Sequence, residues 1–265
     1  MWYRGPSLFW GGVLVITGVL FLLANMGVLE GVDWNYIWPV FLIALGLWLV
    51  VARIGPGGAT AEVDSAEPRE VLTKARLEIA VGSGRVEVRS AALGDQLFKT
   101  HIEHAGTAPE VKLDRATGTL RVSQRLDWFA GGRRVRIEAQ VTDAIPWEVG
   151  CSTGAIRGTF DFSTTELTAF ECRTGASQIE LNLATPKGNV PIRIEGGALT
   201  VNIVRPTGAA IRVVASGGAV QIRADGVRLD GIGTRDWHSQ EFDAAVDGYD
   251  VTVQGGALSV NVSAH

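Results

Sequence analysis

The chain has 265 residues, of which 46% are hydrophobic, with 33 glycines, two cysteines and a formal net charge of −4. This length fits one or two domains, and the small negative charge argues against a nucleic-acid partner. Two cysteines are too few for the disulfide framework of a small secreted domain. The hydrophobic content excludes disorder over most of the chain.

The charges are distributed very unevenly along the chain. Only Arg4, Glu30, Asp33 and Arg53 are charged among the first 53 residues, and all other Asp, Glu, Lys and Arg residues lie beyond them. A charge-poor segment followed by an ordinarily charged one predicts two parts in different solvents. We therefore expect a membrane-anchored protein whose remaining residues form a water-exposed domain.

The charge-poor segment contains two long apolar stretches. There are 25 uncharged residues between Arg4 and Glu30, and 19 between Asp33 and Arg53. A helix needs about 20 apolar residues to cross about 30 Å of hydrocarbon, so residues 1–53 are predicted to form a two-helix transmembrane hairpin. A cleaved signal peptide is disfavoured because the first stretch is too long and a second one follows it.

The flanking charges predict the orientation of this hairpin. Arg4 and Arg53 lie at its outer ends, whereas Glu30 and Asp33 lie in the link between the two stretches. Cytoplasmic flanks carry an excess of Lys and Arg. We therefore expect a multi-pass cell-membrane protein with two spans and both termini in the cytoplasm.

After the hairpin, residues 54–68 (IGPGGATAEVDSAEP) are rich in Gly, Pro, Ala and acids and lack apolar periodicity. This composition predicts a flexible linker. Residues 69–265 follow as one domain, with a pattern that recurs around a glycine turn. The six copies are LEIAVGSGRVEV, WEVGCSTGAIRG, FECRTGASQIEL, IRIEGGALTVNI, IRVVASGGAVQI and YDVTVQGGALSVNV.

Each copy alternates apolar and polar residues on both sides of its turn, and 22 of the 24 positions on the common face are apolar. A period of two indicates strands with one buried face. The turns are hairpin loops or the corners of a solenoid at which one left-handed glycine redirects the chain. Thr153 and Thr174 are β-branched and disfavour the two positive φ angles of a type I′ hairpin.

The central turn glycines are separated by 21, 22 and 21 residues. A fixed period favours a single-domain, all-β solenoid with repeats of about 21 residues over stacked hairpins, which stay as the alternative. Residues 92–146 fit the period less well. They are predicted to form longer strands that pack on the first repeats.

At this point the chain resembles a known bacterial arrangement. The segments GGVLVITGVLFLLANMGVL and WNYIWPVFLIALGLWLV resemble a LiaI/LiaF-like transmembrane region. The segments FDFSTTELTAFECRTGASQIEL and YDVTVQGGALSVNV are similar to the LiaF-type C-terminal domain of cell-wall-active antibiotics response proteins, also called the toastrack domain. The resemblance implies a β-repeat fold and a protein that modulates an envelope-stress sensor kinase without catalysing a reaction.

Two pairs of side chains could carry chemistry. Cys151 and Cys172 occupy the same position in adjacent repeats, so a solenoid would stack them about 4.8 Å apart, within reach of a disulfide. In a cytoplasmic domain thiols stay reduced, which favours two buried structural cysteines. His101 and His104 flank Glu103 but face opposite sides of a strand, so we expect neither a metal site nor a cofactor there.

Two further groups are candidate contact sites. Trp237, His238 and Phe242 lie in the insert 231–243, which is an aromatic interaction loop or a plug for the open end of the solenoid. Arg133, Arg134 and Arg136 could contact anionic headgroups of the bilayer. An ordinary solvated turn is the alternative interpretation of this cluster.

No Ser/His/Asp order, phosphate-binding loop or carboxylate pair stands out in the sequence, so we expect a protein that is not an enzyme. The first hypothesis is a membrane-anchored protein of the bacterial envelope-stress response that acts through protein contacts, with homo-oligomers and a sensor kinase as expected partners. The last repeat strand ends close to His265, which predicts an unpaired terminal repeat and self-association. The second hypothesis is an envelope-facing polysaccharide-binding or polysaccharide-processing module, with an aromatic and acidic groove beside residues 231–243.

Overall fold

The computed structural model describes residues 61–70, 72–104, 107–124, 135–242 and 246–264. The chain divides into two units between Gly57 and Gly58, and the described residues belong to the second. The predicted transmembrane hairpin over residues 1–53 lies outside the described residues. Within the described ranges, no helix has the length and apolar character that crossing a bilayer requires.

The described unit consists of 13 β-strands, as the alternating pattern predicts. They are β1 (Ala61–Pro68), β2 (Ala75–Ala91), β3 (Gln96–His104), β4 (Glu110–Asp114), β5 (Thr119–Ser123), β6 (Val135–Thr142), β7 (Trp147–Phe162), β8 (Leu167–Arg173), β9 (Ala176–Leu183), β10 (Asn189–Arg205), β11 (Ala210–Ala224), β12 (Val227–His238) and β13 (Gly248–Ala264).

The repeats pair with one another in parallel, as the rungs of a solenoid do. Strands β2, β7, β10, β11 and β13 are single rungs of 15–17 residues, and β8 with β9 form one further rung. Equivalent repeat positions lie opposite each other, for example Cys151 beside Cys172 and Phe170 beside Ile192. Parallel pairing excludes stacked hairpins for these rungs and confirms the solenoid prediction.

Each rung bends at its glycine turn, so the unit has two arms. We call the halves before the turn the first arm, with the strand order β4-β5-β2-β7-β8-β10-β13-β11-β12. The halves after the turn form the second arm, with the order β1-β3-β6-β2-β7-β9-β10-β13-β11-β12. The six strands β2, β7, β10, β11, β12 and β13 therefore contribute to both arms, and the turns form a shared corner.

The alternation of buried and exposed residues shifts by one position at the corner. This shift lets both arms share one core. In β7, Trp147, Val149 and Cys151 are buried before the corner, and Ile156 and Phe160 are buried after it. Residues 152–155 between them are partly or fully exposed. The phase shift keeps the apolar side chains of both halves on the inner side of the bend.

The turn glycines are required for a reason different from the predicted one. Of the six, only Gly84 has a positive φ, and its value of 158° is close to extended backbone, so the left-handed corner prediction is wrong. A Cβ on Gly175 would lie 2.4 Å from the carbonyl oxygen of Gly154, and a Cβ on Gly154 would lie 2.4 Å from that of Gly82. Glycine is needed because the backbones of successive rungs approach so closely.

The order of the rungs also differs from the order of the repeats in the chain. Strand β13, the last repeat, lies between β10 and β11 and pairs in parallel with both. Val251 accordingly has Ile192 on one side and Val213 on the other. The prediction of an unpaired terminal repeat is therefore wrong, because the last repeat is an interior rung.

The predicted linker is also shorter than expected. Residues 61–68 form β1, which pairs antiparallel with β3, so the linker prediction is wrong for this part. Alternate residues of β1, including Val63 and Ser65, are half-buried. A polar strand of this kind suits the edge of a sheet, where one side faces water; residues 54–60 lie outside the described part of the chain.

Between β2 and β7, the strands β3 to β6 pack on the first rung, as residues 92–146 were predicted to do. Strand β5 pairs with the first half of β2, and β6 pairs with its second half. The four strands have 9, 5, 5 and 8 residues. They are therefore shorter than the rungs, not longer as predicted, because each covers only one arm.

Candidate functional site

The insert 231–243 was the main candidate for recognition, and most of it belongs to β12. This strand pairs antiparallel with β11 and with no other strand in the described part of the chain. It therefore covers the last rung along both arms. Of the two sequence interpretations, the plug describes this position better than a projecting loop.

Trp237 is not a contact residue in this arrangement. Its side chain is only 9% exposed and belongs to the core, and its cross-strand neighbour is Val213. A buried indole cannot line a sugar-binding groove, so the aromatic groove predicted beside residues 231–243 is wrong with respect to Trp237. Its burial instead attaches the end of β12 to the core.

His238 and Phe242 remain at the surface beside this end. His238 is exposed and Phe242 is half-buried. Their ring centroids are 6.3 Å apart with the planes tilted by 45°. The two rings form a small aromatic contact at the end of β12. Two rings offer less surface for recognition than the three clustered aromatic side chains that were predicted.

The outer edge of β12 is the stronger candidate for a contact surface. Ile232 is 79% exposed and Val227 is also exposed. In the described chain the rungs themselves are covered on both edges by neighbouring strands, but β12 is paired on one edge only. An edge strand presents unpaired backbone N–H and C=O groups, onto which another strand can add. We refer to the outer side of Val227–His238 as the end edge.

Part of the end edge is covered by an arginine side chain. The guanidinium group of Arg235 donates hydrogen bonds to the backbone carbonyls of Asp230, at 3.4 Å, and Thr234, at 2.9 Å. Gly231 makes room for it, because a Cβ there would lie 1.8 Å from the Arg235 Nη2 atom. Charged side chains on an edge restrict strand addition, but Arg235 leaves the side chains of Ile232 and Val227 exposed.

An ion pair and a hydrogen bond hold β12 against β11. Arg212 of β11 donates two hydrogen bonds to the carboxylate of Asp236, at 3.1 and 2.5 Å. This contact lowers the pKa of Asp236 below its usual value, since the hydrogen bonds and the positive charge stabilise the carboxylate. On the other arm, the Gln221 Nε2 atom donates to Asp230 at 2.9 Å.

The sequence contained a signal for this end strand that the repeat pattern obscured. Asp225 and Gly226 connect β11 to β12, and their φ angles are 45° and 81°. Positive φ at both loop positions is typical of a type I′ hairpin, for which Asp-Gly is a strong signal. The dipeptide therefore predicts a hairpin here, followed by an antiparallel strand.

Of the predicted membrane-contact cluster, Arg133 and Arg134 lie outside the described residues. Arg136 lies in β6 and its Nε atom is 2.9 Å from Oε1 of Glu138. Its charge is thus partly balanced by a neighbour on its own strand. A contact between this cluster and headgroups stays a prediction.

The two cysteines lie side by side in neighbouring rungs, as predicted. Both are buried and neither forms a disulfide. The pKa of the Cys151 thiol is raised well above its usual value, first by the interaction with Cys172 and then by burial. A thiol in such surroundings is a poor nucleophile, which makes both cysteines structural residues.

The two histidines of β3 face opposite sides, as the spacing predicts. His101 is partly exposed, and its Nδ1 atom is 2.7 Å from Oδ1 of Asp64 in β1. His104 is buried. Within the described ranges, no three His, Cys, Asp or Glu side chains are grouped so that they could hold a metal ion.

Comparison with protein families gives two matches. Residues 57–204 match the family described as the N-terminal domain of toast_rack. Residues 8–50 match the LiaI-LiaF-like transmembrane region, which places the chain at a membrane. Both matches confirm the resemblance found in the sequence. No curated protein matches the chain.

Comparison with solved structures shows the fold. A proposed cell adhesion protein from Clostridium sporogenes ATCC 15579 is 18% identical, with a TM-score of 0.66, over 78% of this chain and 100% of that one. A proposed adhesin from Bacteroides fragilis NCTC 9343 is 10% identical over 78% and 99% of the two chains, but its TM-score is 0.21. The second value is too low to support an argument about this structure.

Proposed function

This chain belongs to the toast-rack N-terminal domain family, and from this membership we propose that it is a non-catalytic membrane protein of the bacterial envelope-stress response. Its β-repeat domain acts through protein contacts, including contacts with a second copy of the chain. A membrane sensor kinase is the expected partner outside the homo-oligomer. Two transmembrane spans anchor the domain, with both termini in the cytoplasm.

The end edge is the observation that supports this proposal most strongly. It combines unpaired backbone on an edge strand, the exposed Ile232 and the position of β12 at the end of both arms. Because the interior rungs already have strands on both sides, a further strand can extend the stack at this end. Addition of a strand to a sheet edge is a common mode of protein recognition.

Self-association through the end edge can be tested with one charged substitution. Ile232→Lys introduces a charge where a second apolar edge would pack, so the full chain in uncharged detergent is expected to change from an oligomer to a monomer. The mass of the protein–detergent complex is measured by light scattering after gel filtration. The control is Val246→Lys, since Val246 is 89% exposed and lies outside β12.

Two outcomes would contradict this proposal. One is a monomeric native chain at every concentration that can be reached. The other is an oligomer that survives Ile232→Lys or that is lost equally with Val246→Lys. Either result would remove the end edge as the site of self-association.

The topology is tested by labelling a single cysteine. In a chain with Cys151→Ala and Cys172→Ala, Ser263→Cys places an exposed thiol on β13. A membrane-impermeant thiol reagent should label it only after lysis if the domain is cytoplasmic. Labelling of intact cells would contradict the proposed orientation and any contact with the cytoplasmic part of a kinase.

A further inference from the structure

A groove with an unusual charge pattern runs over the second arm beside the corner. It has a volume of about 840 Å³ and is formed by β2, β3, β6 and β7. The polar and charged side chains that line it are Ser83, Arg85, Glu103, His104, Arg136 and Arg157. We call it the arginine groove; it is separate from the end edge, which lies at the other end of the rung stack.

Three arginines form a row across neighbouring strands of this groove. Arg85 of β2 lies opposite Arg136 of β6 on one side and opposite Arg157 of β7 on the other. Neighbouring strands are about 4.8 Å apart, and like charges directly opposite each other destabilise a sheet. The fold therefore tolerates two such repulsive contacts, and a neutral side chain in place of Arg85 would remove both.

Acidic neighbours compensate only one end of the row. Arg136 has Glu138 at 2.9 Å and Glu87 at 4.0 Å. Within the described residues, Arg85 and Arg157 form no ion pair and no side-chain hydrogen bond. Two adjacent guanidinium groups thus remain available, each with five N–H donors.

The two residues of β3 beside this row face opposite sides of the sheet. Glu103 is the cross-strand neighbour of Arg136, and His104 is that of the buried Val135. His104 is only 6% exposed, so its side chain lies on the core side. The exposed arginines themselves therefore form the candidate site.

We propose that the arginine groove binds a phosphate group, with Arg85 and Arg157 as its main ligands. Side chains from strands about 4.8 Å apart can both reach one tetrahedral anion, and guanidinium groups bind phosphate oxygens with paired hydrogen bonds. Binding neutralises the row and removes the repulsion between the arginines.

The charge of the row favours phosphate over a carboxylate. A carboxylate carries one negative charge, so it neutralises only one of the two arginines. A phosphate group offers more oxygens and up to two negative charges, so it can bind two arginines at once. Arg85, Arg136 and Arg157 are all exposed, so they can reach a phosphate that is attached to a larger molecule.

The test uses the full chain in uncharged detergent, with a soluble probe and a lipid probe. Inorganic pyrophosphate is titrated while heat is measured, and phosphatidylglycerol is compared with phosphatidylcholine in mixed micelles. The double variant Arg85→Gln/Arg157→Gln should bind at least about tenfold more weakly than the native chain, which corresponds to about 1.4 kcal/mol. The matched control is Arg193→Gln, an exposed arginine on the first arm that lies opposite Glu171.

The two probes distinguish the sources of the phosphate. Binding of pyrophosphate that only the double variant loses supports a soluble phosphate ligand. A preference for phosphatidylglycerol that only the double variant loses supports a lipid headgroup. Equal binding by the native chain and the double variant, or equal losses in the double variant and in Arg193→Gln, would overturn the proposal.

A second variant separates binding from folding. Arg157→Glu places a carboxylate beside Arg85, so it should abolish binding while leaving the unfolding midpoint of the chain unchanged or higher. Loss of binding together with a stable fold supports the site. Retained binding by Arg157→Glu would overturn it, whatever the oligomeric state of the chain.

Discussion

The outer surfaces of the two arms use the same strand spacing for opposite charge patterns. On the first arm, Arg76 pairs with Glu148 of the next rung at 2.6 Å, and Arg121 pairs with Glu78 at 2.7 Å. On the second arm, Arg85 has arginines on both sides. The apolar residues beneath these rows are buried in both arms.

This difference shows that the buried residues of a rung determine its fold, whereas the charge pattern of its outer residues can vary independently. Alternation places every second side chain outside, where cross-strand neighbours contribute only about 0.2–1 kcal/mol per pair. Burial of the core is therefore sufficient to stabilise both arms. The outer rows can contain equal or unequal numbers of positive and negative side chains. A balanced row stabilises the fold, whereas an unbalanced row is suited to a charged ligand.

The largest loss of stability is expected from a substitution at the glycine corner, which both arms share. Gly175→Val would bring a Cβ within 2.4 Å of the Gly154 carbonyl oxygen, and only a backbone shift relieves that contact. We expect a loss of about 3 kcal/mol in the free energy of unfolding, at the upper end of overpacking effects. Urea unfolding of the full chain in detergent, followed by circular dichroism, measures it.

The control for this prediction is the next residue. Ala176→Val adds the same side chain at an exposed strand position, where a β-branched residue is favourable. It should leave the unfolding midpoint nearly unchanged. Equal effects of the two substitutions would show that close stacking of the rungs does not account for the glycine.

The next largest loss of stability is expected at a buried arginine. It provides a reference value for the arginines on the outer surfaces of the two arms. Arg205 at the end of β10 is only 4% exposed; it donates to the carbonyl oxygen of Ala209 and pairs with Asp225 at 2.6 Å. Arg205→Ala leaves both acceptors without this donor, which should cost about 2 kcal/mol, less than a fully buried pair because Asp225 is partly exposed. A loss no larger than that of a surface arginine would contradict this assignment.

The sharpest test of the comparison uses one neutral substitution in each arm. Arg76→Gln removes the ion pairs with Glu78 and Glu148 and should lower the free energy of unfolding by about 0.5 kcal/mol. Arg157→Gln relieves repulsion and should raise it by a similar amount, about 0.5 kcal/mol. Both differences should shrink in about 1 M salt, where the Debye length is about 3 Å; effects of the same sign would show that the two rows are equivalent.

The smallest expected effect concerns the edge at β1. Asp64 raises the pKa of His101, mainly by accepting its hydrogen bond. Protonated His101 therefore stabilises the β1–β3 pair at low pH, and this contribution is lost as the pH rises through the raised pKa. Hydrogen exchange should show a few-fold lower protection of β1 amides at about pH 8 than at about pH 6, after correction for intrinsic rates.

The control for this pH dependence is His101→Gln, which cannot be protonated. In this variant, the hydrogen-exchange protection of the β1 amides should change with pH to the same extent as that of interior rungs such as β10. A pH dependence that persists in His101→Gln would assign it to another group.

Local patterns predicted the rungs, because alternation and the stacked glycines are properties of short segments. The pairing of Cys151 with Cys172 followed from the period alone. The repeat pattern could not predict that β13 lies between β10 and β11, since all rungs present the same apolar face and any two of them can pair. The edge strand β1 was missed because Val63 is its only large apolar residue, which is too few for an alternating pattern.

The candidate sites depended on tertiary structure to a greater degree. The sequence predicted Trp237 as a candidate contact residue, but in β12 its side chain points towards the core and is buried. The arginine groove joins Arg85, Arg136 and Arg157, which are far apart in the chain and stand in no common motif. Only the pairing of β2 with β6 and β7 brings them into one row.

By itself, the sequence therefore determined that this protein has an apolar anchor segment and a β-repeat domain built from alternating strands. These features are local, because hydrophobic length and a period of two act over a few neighbouring residues. Tertiary structure decided the order of the rungs, the strand that covers the last one and the side chains that meet on the surface. Those features depend on which distant segments pair, and the free energy of pairing is shared by the whole core.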